Sequence, residues 1–322
     1  MVIGGTLFIG RALVRRLLAR GDRVAILHRG RHNPFAGQAE EIHCDRNDIV
    51  AVRRALAGRQ FDVVFDNVYD WQRGTSAEQV EAAALACAEG LRRYVFTSSV
   101  AAYGTGLNRT EDASLAPADH PFQYMREKAG TERMLFRLYR ERGFPAVTLR
   151  PPFIYGPDNP FYREAFFWDR LLADRPIIVP DDGERLMQFV FVEDLARAAI
   201  AAGEKDQAAG RAYNVANARP VTQKEFVQAL AQAAGKTAKM VFVPQEKLEA
   251  AGGNVFQPPL YFGQYLHLPP LTQNTERARR ELGFEATPFD KGLAEAFRWY
   301  QAQQQRPAPD FSFDDRVLAA RR

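Results

Sequence analysis

Hydrophobic positions in this chain fall into short β-branched runs separated by stretches with helical spacing. The runs are Val2-Ile3, RVAILH (Arg23 to His28), EIHC (Glu41 to Cys44), DVVFD (Asp62 to Asp66), YVFTSS (Tyr94 to Ser99) and AVTLR (Ala146 to Arg150). Between the first two, Ala12, Leu13 and Leu17 share one face of a helix expected over Arg11 to Arg20. Strands that alternate with helices in this way predict an α/β fold, a Rossmann-type doubly wound parallel sheet with helices on both faces. Ligands of such a sheet bind at the carboxyl ends of its strands.

The first run is short for a strand, with only Met1 to Ile3 ahead of the glycines, against a usual length of about five to six residues. That leaves open whether the natural strand begins earlier. After Gly156-Pro157 the pattern changes to longer aromatic and proline-bearing stretches, and strand-helix signals return at FVFVEDLARAAIAA and AYNVAN. The expected organisation is a dinucleotide-binding domain over 1–156, with 187–217 returning to it. Segments 157–186 and 218–300 form a smaller substrate lobe, and 301–322 a linker and tail. Leu293, Phe297 and Tyr300 predict a last core-facing helix, QAQQQRPAPD reads as a linker, and FSFDDRVLAARR is a tail that docks or stays mobile.

Composition narrows the function classes. A chain of 322 residues with 46% hydrophobic and 25% charged residues can bury a substantial core and is neither a peptide scaffold nor a disordered chain. Its net charge of +4 comes from 43 basic and 39 acidic residues interspersed along the sequence, which does not by itself imply nucleic acid. Cys44 and Cys87 lack the spacing of a zinc knuckle or redox pair and read as buried packing residues in a reducing compartment. No apolar run reaches the length of a membrane span, and no leader pattern opens the chain, so a cytoplasmic protein is expected. His28 and His32 are four apart, but Gly30 and the basic loop between them argue against one helix face, so no metal site is expected.

The candidate chemistry begins at GGTLFIG. In a dinucleotide turn one glycine permits the bend, one lets the backbone approach the pyrophosphate, and one allows the helix to pack on the strand. Gly4 and Gly10 hold the outer places and Leu7 the middle one. A leucine whose side chain turns away still leaves backbone N–H groups at the helix N-terminus for phosphate. Gly4, Thr6, Leu7, Phe8, Ile9 and Gly10 are therefore candidate cofactor-binding residues. The second strand ends in His28-Arg29-Gly30-Arg31, where an acidic residue would receive the ribose hydroxyls of NAD. Arg29 instead suits the 2′-phosphate of NADP, so NADP is expected over NAD, the alternative being a solvated basic loop.

Tyr124 and Lys128 lie four apart in QYMREKAGTERMLFRLYR, one helical turn apart on the same face. An ammonium beside a phenol is expected to lower the tyrosine pKa towards a value useful for proton transfer. The spacing alone is weak, since it recurs by chance on many helices. The ordered set GGTLFIG, CDRND, YVFTSSVAAYG, Y-x-x-x-K, LRPPFIYGP and FVFVEDLA is far more specific. It resembles the extended short-chain dehydrogenase/reductases, the NAD-dependent epimerase/dehydratase family, from Val2 to about Tyr300.

That resemblance implies a Ser-Tyr-Lys site in an oxidoreductase, epimerase or dehydratase. Tyr124 would be the general acid/base, Ser99 would hydrogen-bond the reacting oxygen, and Lys128 would hold the nicotinamide ribose and tune the tyrosine. Asp45 and Arg46 match positions that approach the adenine, a loop cap being the alternative for Asp45, while Asn67 and Val68 match backbone-contact positions. The substrate would be a small sugar-like or other secondary alcohol or ketone, a sugar nucleotide among the candidates, and the protein a candidate homodimer. Two departures weigh against a nucleotide sugar: Phe153 replaces an asparagine, and Met187 an arginine, with Arg185 two residues earlier. GGTLFIGRALV with YGPDNPF, FFWDRL and QFVFVEDLARA is similar to a divergent branch that includes the chloroplast stem-loop-binding proteins, some of which bind or cleave RNA. RNA binding on the same scaffold is thus the second reading.

Overall fold

The computed structural model describes residues 1–30, 32–253, 269–304 and 306–320. The chain begins with β1 (Val2–Ile3), α1 (Phe8–Ala19), β2 (Ala25–His28), β3 (Glu40–His43), α2 (Ile49–Leu56), β4 (Val63–Asp66), α3 (Ala77–Ala86) and β5 (Arg93–Thr97). It continues through β6 (Gly106–Arg109), α4 (Gln123–Arg142), β7 (Ala146–Arg150), β8 (Phe153–Tyr155), α5 (Glu164–Leu172), β9 (Ile177–Pro180), β10 (Leu186–Met187), β11 (Phe189–Phe191), α6 (Val192–Glu204) and β12 (Arg211–Asn214).

Seven of these strands form one sheet in the order β12-β7-β5-β4-β1-β2-β3, and every neighbouring pair in it is parallel. Strands buried on both faces need no alternation, which is why AILH, RYVFT and AVTLR are buried throughout. The order reverses between β1 and β4, and such a reversal opens a crevice at the carboxyl ends of the strands. Although β1 has only two residues, it is fully buried at that central place and is paired on both sides, Val2 with Ile26 and Phe65.

The remaining strands make two-stranded pairs outside this sheet, β8 with β11 among them. Past β12 come β13 (Val221–Thr222), α7 (Gln223–Ala233), β14 (Met240–Val243) and α8 (Gln245–Ala250). Aromatic rings fill this second region: Phe189 stacks on Phe226 at 4.5 Å and on Phe289 at 5.4 Å. The expected last helix spans Phe289–Ala302, with Leu293, Phe297 and Tyr300 buried. The tail docks as a helix, Ser312–Ala319, because Phe313 and Val317 fall on one face and Asp314 pairs with the buried Arg170 at 2.6 Å. Among the described residues no helix is long and apolar enough to cross a membrane, and Cys44 and Cys87 are both buried thiols.

The helix that matters most for the site is α4. Its buried stripe contains Met134, Leu135 and Leu138, whose burial stabilises the fold by about 1.5–3 kcal/mol each. The same stripe carries two charged residues, Lys128 and Glu132. Glu132 is held by Arg150 (2.6 Å), with Ser98 (2.5 Å) and Thr148 (3.0 Å) also donating to its carboxylate. This satisfied network ties α4 to the carboxyl ends of β5 and β7, where the candidate site residues lie.

Candidate functional site

The glycine turn follows β1 directly. Gly4 adopts φ +81°, a conformation that favours glycine, and its N–H donates to the Leu27 carbonyl at 2.9 Å. A Cβ on Gly10 would lie 1.9 Å from the Gly4 carbonyl oxygen, so only glycine lets α1 approach the turn this closely. Leu7 is 63% exposed and supplies no side-chain cap to α1. Its side chain therefore points away from the backbone it replaces a glycine in. Phe8 is buried with φ +40°, while Thr6 and Ile9 are half-buried. The first turn of α1 holds no acidic residue, and its amide groups keep their partial positive charge for an anion. Arg11 in that turn reaches across to Asp158 at 2.8 Å, linking α1 to the loop after β8.

Across the crevice, the Asn67 N–H donates to the Ile3 carbonyl at 3.2 Å, and Val68 Cγ2 sits over Gly4, 2.5 Å from where a Cβ would stand. The Asn67 side chain accepts from Thr97 Oγ1 at 2.5 Å, while its buried Nδ2 has no partner among the described residues. An orphaned buried donor beside the turn, the open helix N-terminus and a turn that α1 approaches closely through Gly10 all fit a dinucleotide.

At the adenine end the expected residues separate. Asp45 closes a turn by accepting from the Asn47 N–H at 3.0 Å and pairs with Arg73 at 2.8 Å. Partial burial alone would raise its carboxyl pKa, but the Asn47 N–H and Arg73 overcome that and pull it down. Arg46 departs from expectation: its side chain turns inward, donating to Asp66 at 2.5 Å and to the Gln79 carbonyl at 2.7 Å. Asp66 also accepts from Tyr94 at 2.7 Å, so this guanidinium neutralises a buried carboxylate instead of facing a ligand. Arg29 is exposed and lies 3.7 Å from Asp70, and Arg31 is outside the described residues.

The metal question turns on a tautomer. His28, Glu41 and His43 gather at the ends of β2 and β3, with His28 Nε2 3.0 Å and His43 Nε2 3.6 Å from Glu41. The Gly30 N–H donates to His28 Nδ1 at 3.1 Å, which places the neutral ring's proton on Nε2 facing Glu41. That nitrogen is a hydrogen-bond donor to the carboxylate and has no lone pair for an ion.

Ser99, Tyr124 and Lys128 converge at the end of β5. Ser99 is buried, accepts from the Ala101 N–H at 3.1 Å to start a 3₁₀ turn, and its side chain acts on the Tyr124 phenol to draw its pKa down. Tyr124 stands in the first turn of α4, and Lys128, one turn on, donates from Nζ to the Thr97 carbonyl at 2.7 Å. The ammonium nitrogen lies 4.7 Å from the Phe96 ring centroid and 5.8 Å from that of Tyr124.

The electrostatics differ from the expectation drawn from spacing. Burial raises the Tyr124 pKa, and what opposes it is the Ser99 side chain and the charge of Arg163. Lys128 is not what draws the phenol down. Its Nζ is turned to a backbone carbonyl, and burial pushes its own pKa down to about 8 against the pull of Asp66, Glu132 and Glu127.

Sequence reasoning missed the wall around Tyr124. Trp71 stacks on the Tyr124 ring at 4.9 Å, Tyr69 meets it edge-on at 4.7 Å, and Phe161 meets Trp71 edge-on at 6.0 Å. Arg163 lies over the Phe161 ring at 4.3 Å. The available signal was NVYDWQRG, two aromatics in a loop just past a strand end, where an α/β sheet gathers its ligands. The two departures noted in the sequence fall on apolar surroundings: Phe153 lies 5.9 Å from Phe189, and Met187 is buried. Arg185 is 3.9 Å from Asp181.

Residues 1–216 match the NAD dependent epimerase/dehydratase family. The chloroplast stem-loop binding protein of 41 kDa b from Arabidopsis thaliana is 29% identical over 99% of this chain and 84% of its own. A 2-alkyl-3-oxoalkanoate reductase from Stenotrophomonas maltophilia is 27% identical over 88% of this chain and 93% of its own. Among solved structures, MoeE5 in complex with UDP-glucose and NAD superposes with a TM-score of 0.73 at 22% identity, covering 93% of this chain and 97% of that one.

Proposed function

The chain belongs to the NAD dependent epimerase/dehydratase family, and on that premise we propose that it moves a hydride between NAD(P) and a secondary alcohol or ketone, with Tyr124 as acid/base. The observation that carries this reading is the meeting of Ser99, Tyr124 and Lys128 at one strand end, across the crevice from the glycine turn. The reductase relative supports a carbonyl substrate, and the NAD-bound neighbour supports the fold's use of the dinucleotide.

The glycine turn from Gly4 through Thr6, Leu7, Phe8, Ile9 and Gly10 would hold the pyrophosphate, Asp45 and Arg29 the adenosine end, and Asn67, Val68 and Lys128 the remainder. When bound, the dinucleotide supplies or accepts the hydride at the substrate carbon. In the reducing direction Tyr124 gives its phenolic proton to the carbonyl oxygen, and the Ser99 hydroxyl donates to the same oxygen as charge develops there. Ketone, hydride and proton together make the alcohol. The phenolate left behind is stabilised by the Arg163 charge, with the Lys128 ammonium further off. In the oxidising direction the same phenolate removes the hydroxyl proton.

NADP is the proposed dinucleotide over NAD, because Arg29 and Arg73 both lie against Asp70 at this end of the crevice and a 2′-phosphate would meet two guanidinium groups. The carboxylate of Asp45, also paired to Arg73, works in the opposite sense. Fluorescence titration with NADPH and NADH, followed by a ketone and alcohol screen read at the nicotinamide absorbance, tests the reading. Binding of either nucleotide with turnover of any secondary carbonyl or carbinol supports it; failure to bind both overturns it.

A further inference from the structure

Trp71 exposes 59% of its surface, whereas Trp168 is buried and Trp299 half-buried. Leaving so large an apolar ring in water forgoes the burial that normally places tryptophan inside. The exposure does not come from a loose loop. The Asp70 carboxylate accepts from the N–H groups of Gln72 and Arg73, both at 3.0 Å, and the Gly74 N–H donates to the Asp70 carbonyl at 2.8 Å. Glu127 on α4 accepts from the Tyr69 hydroxyl at 2.7 Å and from the Thr75 N–H at 3.0 Å. The indole is thus held in place against Tyr124 from both sides of the loop.

We propose that Trp71 is the stacking surface for the substrate, and that the substrate carries a flat unsaturated ring next to its reacting carbonyl or carbinol carbon. This rests on the reading of Tyr124 as acid/base, which fixes where the reacting oxygen lies. Around that point the described residues of the wall offer ring faces, and two of its polar groups are already engaged. The Tyr69 O–H and the Gln123 Nε2 both donate to Glu127, and Phe161 extends the aromatic surface beyond Trp71. A hydroxyl-rich sugar ring placed here would lose hydrogen bonds to water without replacing them. A conjugated ring loses none and gains a partner for offset stacking.

The test uses the full chain saturated with oxidised dinucleotide, so that ketones bind without turning over, and calorimetric titration with acetophenone and cyclohexyl methyl ketone. These share the carbonyl and differ in whether the ring is flat. Acetophenone is expected to bind roughly 3- to 10-fold more tightly. Trp71→Ala should abolish that preference, and Trp71→Phe should keep most of it. The proposal is overturned if the preference survives Trp71→Ala, if the cyclohexyl ketone binds as well as acetophenone, or if acetophenone fails to bind at millimolar concentration. It is also overturned if Trp71→Ala weakens only the dinucleotide. Should Tyr124→Phe retain full turnover while the ring preference still depends on Trp71, the acid/base reading falls and the stacking surface stands.

Discussion

Replacing Lys128 with methionine should make the protein more stable at neutral pH while removing a residue its proposed chemistry uses. Lys128 is buried, and burial holds its pKa at about 8 instead of the ordinary 10.5. At about 1.4 kcal/mol for each pH unit, that gap amounts to about 3 kcal/mol of destabilisation from burying the ammonium. Below pH 8 the lysine is charged in both folded and unfolded chains, so the whole cost is present. Between pH 8 and 10.5 the unfolded chain holds the proton and the folded one does not, so the wild type gains stability as pH rises. Above 10.5 the cost is gone.

Methionine keeps the length and apolar stem but leaves the Thr97 carbonyl without its 2.7 Å donor, a loss of about 1 kcal/mol. Lys128→Met should therefore be about 2 kcal/mol more stable than wild type at pH 7, with the order reversing close to pH 10. Urea melts of both proteins at half-unit steps from pH 7 to 10.5 give the difference directly, and other titrating groups cancel between them. A difference that does not change with pH, or a wild type already ahead at pH 7, would refute the reasoning.

Other outcomes follow from the same geometry. Asp314→Ala strands the buried Arg170 guanidinium, which also binds the Phe166 carbonyl at 3.0 Å, and should cost about 3–5 kcal/mol in a denaturant melt. Arg29→Ala should narrow the preference for NADPH over NADH by roughly 3- to 10-fold in fluorescence titrations, less so at high salt because Arg29 is exposed. An unchanged ratio would remove Arg29 from cofactor choice. Structured RNA in filter binding should show only the weak affinity of non-specific association, on the order of 10⁻⁴ M at physiological salt. Tight binding with a steep salt dependence would promote the RNA reading that the stem-loop-binding relative raises.

The sheet was legible because its strands announce themselves locally: AVTLR became β7 with its bounds unchanged, DVVFD lost one residue at its start, and EIHC moved by one residue at both ends. The glycine turn was equally local, down to a leucine whose side chain can point outward. What lay beyond the sequence depended on burial and on contacts between distant segments. Arg46 follows Asp45 in a loop at the adenine end, yet its guanidinium turns in because Asp66, 20 residues on, is a fully buried carboxylate. Four-residue spacing put Lys128 beside Tyr124, but could not say that the Thr97 carbonyl would take its ammonium or that Ser99 and Arg163 would set the phenol's acidity. Trp71 in YDWQ carried no periodicity at all, and its importance comes only from the ring it rests on. The docked tail shows the same limit, since Phe313 and Val317 mark a face while its partner Arg170 is 144 residues away.

The measurement that bears most directly on the account is single-turnover hydride transfer by Tyr124→Phe, with bound dinucleotide quantified separately. The substitution removes one hydroxyl from a ring held by Trp71 and Tyr69, so the fold and the dinucleotide affinity should stay close to wild type. The rate should fall by roughly 10²- to 10⁴-fold, the contribution of a positioned acid/base. A Tyr124→Phe protein that binds the dinucleotide normally and keeps most of its rate would contradict the assignment.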